Sequence, residues 1–155
     1  MDFRIKGLAP ERFAPLFAMG EEDLACHRAV ARVADSMPGF PCRVSLQDAE
    51  PGTRVLLVNY EHLPVESPYR ASHAIYVSEA PKKAFDAVGV VPQALRDRLL
   101  SVRAFDDAGM MVDADVAEGR ELEALVGRLL ARSDVEYLHA HFARRGCYAA
   151  RIERA

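Results

Sequence analysis

Cysteine is scarce in this chain: Cys26, Cys42 and Cys147 make an odd number with no CxxC spacing. That excludes a disulfide framework and points to reduced thiols. Long apolar runs are missing too, and none approaches the roughly 20 residues that span a bilayer as a helix. The first residues, MDFRIKGLAPERF, carry charge early and hold no signal-type apolar stretch. The expected address is cytoplasmic, with no membrane partner. Basic charge is not in excess either. Twenty Lys and Arg against 23 Asp and Glu leave a net charge of -3. A general nucleic-acid binder needs a basic surface to displace counterions from phosphates, so nucleic acid is not an expected partner. The tail, with Arg144, Arg145, Arg151 and Arg154, is the local exception. A Gly-rich phosphate loop, a G-x-S-x-G elbow and an H-E-x-x-H pair are all absent, so no motif names a cofactor or a reaction.

What is present is material for one core. The chain has 155 residues, half of them hydrophobic, which suits a single domain over 1–155. Short strands are expected over 3–5, 29–34 and, briefly, 42–46. The best strand is RVLLVNY, after a turn centred on Pro51-Gly52, and a second follows over 72–77. Residues 79–89 read as a linker or a frayed helix. PQALRDRLL is a short helix with proline at its start. SVRAFDDAGMMVDADV is a hairpin pattern. Short helices are also expected from Pro10 and over 21–27. The clearest helix is GRELEALVGRLLAR, where Leu122, Leu125, Val126, Leu129 and Leu130 follow helical spacing. The last twenty residues read as two strands around a turn ending at Gly146. Strands joined by short turns, with two to four helices between them, predict an α+β fold with a mainly antiparallel sheet.

The stretch YEHLPVESPYRASHAIYV, residues 60–77, places many reactive side chains at one end of the central hairpin. Side chains alternate along a strand, so Leu56, Val58, Tyr60 and His62 share one face, as do His73, Ile75 and Val77. The simplest register sets Val58 opposite Ile75, Leu56 opposite Val77 and Tyr60 opposite His73. The hairpin is therefore oily at one end and turns to Tyr60, His62 and His73 at the crossover. Such a cluster either lines a ligand pocket or closes the core as a hydrogen-bonded plug.

Arg43 is read as an anion anchor for that pocket or as an ion-pair partner of Asp48, and Tyr69 as a lid contact. His73 and His62 are the candidate general bases, because imidazole titrates near neutral pH. Cys147 is the candidate nucleophile. No metal is expected, although His139 and His141 share a strand face at ligand spacing. A third ligand, His62 or His73, would have to approach them in space.

PGFPCRVSLQDAEPGTRVLLVNYEH, SPYRASHAIYV and RGCYAARI together resemble the bacterial domain-of-unknown-function family numbered 1203, over nearly the whole chain. The resemblance implies a small intracellular bacterial domain. It implies no activity, and no functional residue is carried over. The leading expectation is a small-molecule-binding protein, with or without chemistry at the bound ligand. The alternative is a non-enzymatic interaction module whose C-terminal hairpin forms an edge for a partner or a second copy, giving a homodimer.

Overall fold

The computed structural model describes residues 2–155. Strand β1 (Phe3–Lys6) leads into a 3-10 turn at Pro10–Arg12 and the short helices α1 (Ala14–Phe17) and α2 (Glu21–Cys26). Three acids crowd the first turn of α2, where the helix dipole favours them. Next come β2 (Ala29–Val33), β3 (Arg54–Leu63), β4 (Ala71–Ser78), β5 (Asp86–Val88) and α3 (Gln93–Arg96). The chain ends with β6 (Leu99–Phe105), β7 (Met111–Glu118), α4 (Leu122–Leu130), β8 (Tyr137–Phe142) and β9 (Tyr148–Arg154). All strand pairs are antiparallel and fall into two sheets. One has six strands in the order β5-β1-β9-β8-β6-β7, the other three in the order β2-β3-β4. The fold is α+β with mainly antiparallel sheet, as expected. Among the described residues no helix is long and apolar enough to cross a membrane.

Parity decides how the six-stranded sheet is covered. Leu138, Ala140 and Phe142 alternate to one face of β8, where Leu100, Val102, Ala104, Ala150 and Ile152 join them. Helix α4 lays Leu122, Leu125, Val126, Leu129 and Leu130 on that face. Each fully buried side chain of this kind contributes about 1.5–3 kcal/mol, so this layer dominates the core. The three-stranded sheet builds a second apolar cluster from Leu56, Val58, Ile75 and Val77, covered by Phe13 and Leu24 of the N-terminal helical segments.

Three expectations change. Residues 42–46 form no strand; Pro41 and Cys42 make only isolated bridges, to Asp48 and Tyr76. The stretch read as linker contains β5, an edge strand carried by its pairing with β1 rather than by its own pattern. The C-terminal hairpin is not an edge. Strand β1 pairs with β9 and β6 pairs with β8, so the backbone groups of that hairpin are already taken. An interaction module built on a free edge there is therefore excluded.

The helical layer depends on one close approach. A Cβ added at Gly119 would fall on the Leu95 carbonyl oxygen and 2.7 Å from Arg96 backbone atoms. Gly119→Ala should cost more than about 2 kcal/mol in urea unfolding, since backbone must shift to accept it. Gly127 sits in α4 with open space around it. Gly127→Ala should instead stabilise by about 0.5–1 kcal/mol through helix propensity. Equal effects at the two positions would refute this packing.

Candidate functional site

The central hairpin has the anticipated register: Leu56 faces Val77, Val58 faces Ile75 and Tyr60 faces His73. A bulge then interrupts the ladder between Glu61 and Leu63, and His62 is the extra residue. His62 stays on the face of Tyr60, and both rings pack against Tyr148, Tyr60 at 5.8 Å. Tyr60, His62 and His73 do not line one pocket. Tyr60 packs edge-on to Phe13 at 6.4 Å and accepts a 2.9 Å hydrogen bond from Arg12 Nη1, beside a shallow surface groove. The imidazole Nδ1 of His73 lies 2.9 Å from the Ala74 carbonyl, and His73 opens onto a different concavity. His62 points into the junction between the sheets.

At that junction the face of the six-stranded sheet away from α4 carries His139, His141 and Tyr148. His62 stacks on Tyr148 at 5.6 Å with an interplanar angle of 14°. Its ring centroid is 5.0 Å from that of His141 and 6.1 Å from that of His139. His139 and His141 are 6.3 Å apart, and Tyr148 contacts both. The three histidines are 8%, 3% and 1% exposed. Burial first, then neighbouring histidines and arginines, lower their pKa values to about 4 for His62, about 2 for His139 and about 3 for His141. The rings are therefore neutral at pH 7. Only His141 has a ring partner there, its Nδ1 lying 3.0 Å from the Gly146 carbonyl. His62 Nδ1, His139 Nδ1 and His141 Nε2 are buried without partners. Tyr148 beside them is pushed above the ordinary phenol value by burial.

A cleft of about 580 Å3 lies along the free side of β4, lined in part by Arg43, His73, Arg98, Phe142, Arg144 and Cys147. Arg43 is 1% exposed. It donates to the Tyr148 carbonyl at 2.7 Å, to the Pro41 carbonyl, and to Cys147 Sγ at 3.0 Å. Its guanidinium lies 4.8 Å from the Phe142 ring centroid. Burial pushes the guanidinium below its ordinary value, and the Cys147 and Cys42 sulfurs oppose that shift. No Asp or Glu pairs with Arg43 among the described residues. Asp48 is engaged by Arg98 instead, at 2.7 and 2.9 Å. Both readings of Arg43 thus need correction. Its donors are spent on two carbonyls and a thiol, so it is not a free anion fork and not the Asp48 partner. Tyr69 leans edge-on against Phe105 at 6.4 Å, away from the cleft lining, and is no lid for it.

Sequence reasoning missed Arg98, Arg103 and Tyr148. Tyr148 follows Cys147 directly, but only the packing of one sheet on the other brings it to His62. Gly146, at φ 79°, makes the turn that presents Cys147 to the cleft; the left-handed region suits glycine.

Fold and site together define an α+β protein of two antiparallel sheets, joined at a buried histidine–tyrosine cluster beside an arginine-lined cleft. The chain belongs to the family described as "Protein of unknown function (DUF1203)", whose model matches residues 39–154. No curated protein and no solved structure matches it.

Proposed function

We propose that this protein binds a small anionic molecule in the cleft beside β4 and that Cys147 is its nucleophile. The observation that carries this reading is the contact of Arg43 Nη2 with Cys147 Sγ at 3.0 Å in the cleft wall. The contact sets a buried guanidinium that has no carboxylate partner directly against the cysteine of the cleft wall. Four arginines line the cleft (Arg43, Arg98, Arg144 and Arg145) against three acids, Asp97 and Glu118 in the lining and Asp48 paired with Arg98. That balance draws in an anion and raises its local concentration. His73, at the same cleft, is the group placed to exchange a proton with the bound molecule.

Iodoacetate and iodoacetamide test the reading with one leaving group and two charges. In both reactions the S–C bond forms, the C–I bond breaks, iodide leaves and the thiol proton passes to buffer. Exposed Cys26 is the internal reference. Peptide-resolved mass spectrometry should show an iodoacetate-to-iodoacetamide ratio roughly tenfold higher at Cys147 than at Cys26. The preference should shrink in high salt and in Arg144→Ala/Arg145→Ala protein. Equal ratios at the two cysteines, or no labelling of Cys147, would refute the proposal.

A further inference from the structure

We infer that His62, His139 and His141 form a binding site for one divalent transition-metal ion, distinct from the cleft. Three observations support it. First, the ring nitrogens His62 Nδ1, His139 Nδ1 and His141 Nε2 are all buried and all lack partners. A buried polar atom left unmatched costs about 1–3 kcal/mol, and a native fold rarely gathers three of them in one place without a ligand. Second, the spacing is close to what coordination needs. Three imidazoles bound tetrahedrally at about 2.0–2.1 Å put their ring centroids about 5 Å apart. The observed separations are 5.0, 6.1 and 6.3 Å. Third, the Nδ1 edge of His141 faces the Gly146 carbonyl at 3.0 Å, which leaves Nε2 as the lone-pair nitrogen. That is the outer contact a metal-bound histidine ordinarily makes.

Among the described residues no group of three or more His, Cys, Asp or Glu is placed to hold a metal ion without movement. Bringing the three nitrogens onto one ion requires the rings to move. His62 sits in the bulge, where the backbone is least tied into the ladder, and is the ring placed to supply that movement. Neutral imidazole favours zinc, cobalt, nickel or copper over magnesium or calcium. Three nitrogens leave a fourth position open. Arg103 is half-buried, and burial alone shifts it, with no acid countering. It acts on all three histidines.

Cobalt(II) tests the site without any assumption about activity. The chelator-treated full-length protein should bind one equivalent, develop the visible band of four-coordinate cobalt(II), and lose it on adding zinc. X-ray absorption should report three imidazole nitrogens and no sulfur. His141→Gln should weaken binding at least about 10- to 100-fold, while His27→Gln, at an exposed position, should leave it unchanged. Circular dichroism checks the fold of each variant, and His62→Gln gives an independent readout if His141→Gln does not fold. No band and no thermal shift with cobalt or zinc would overturn the inference, as waters alone bridging the rings would produce. Sulfur in the coordination shell, or binding that survives both His141→Gln and His62→Gln, would also overturn it.

Discussion

Lowering the pH from 7.5 to 5.5 should remove about 4 kcal/mol of folding stability from the chelator-treated protein. The unfolded chain protonates its histidines near pH 6.5. In the native protein His62, His141 and His139 stay neutral until about pH 4, about 3 and about 2. Below pH 6.5 the unfolded state therefore binds more protons than the native state, and stability falls with pH. A depressed histidine contributes fully only above the unfolded value, and the loss continues until the native value is reached. Each such ring costs about 1.4 kcal/mol per pH unit, so three together approach 4 kcal/mol per unit between pH 6 and pH 4. The charges that resist protonation surround the junction. Arg103 of β6 acts on all three rings, Arg151 of β9 on His139, and His73 of β4 on His62 and His141. Glu61 of β3 favours protonation of His62. Urea midpoints measured at half-unit pH steps give the slope directly. His139→Gln and His141→Gln should each flatten it by about a third. A curve that stays level from pH 7.5 to 5.5 would mean that the three rings are not held neutral at the sheet junction.

Arg43→Met should cost about 3–5 kcal/mol, at about 1–3 kcal/mol for each buried acceptor left unmatched, even though no charged partner is lost. The guanidinium ties three separate parts of the chain: the Pro41 carbonyl, the Tyr148 carbonyl and the Cys147 sulfur. Removing it leaves two buried carbonyls unmatched and takes one side from the Phe142 ring. For a chain of this size that is a fall in melting temperature of roughly 6–20 °C. Arg43→Lys keeps the charge but has a single nitrogen in place of the fork, so it should recover only part of the loss. Thermal and urea unfolding would report both. If Arg43→Met were within about 0.5 kcal/mol of the parent, Arg43 would not be the tie between the 41–43 segment and β9.

Periodicity was sufficient wherever one face of an element meets an apolar layer. The helix from Leu122 to Leu130 and the Val58–Ile75 register follow from spacing alone, because a slip would expose the entire apolar set. Strand β5 was illegible because an edge strand of three residues needs β1 to define it. The site was half legible. His62, His73, His139, His141, Arg43 and Cys147 were all in view as residue types, but their grouping was not. Parity put His62 on the face of Tyr60, and both meet Tyr148 there; the packing of one sheet on the other adds His139 and His141 as neighbours of His62.

The amino-acid sequence by itself determined the α+β class, the central hairpin and its register, and the set of chemistry-bearing side chains. Only the tertiary structure decided that the histidines from β3 and β8 meet across two sheets. It also decided that Asp48 takes Arg98 and that Arg43 takes Cys147, 104 residues away. Local pattern encodes which face is buried, since burial scales with apolar area along one element. Which polar groups meet in that burial depends on how whole layers pack.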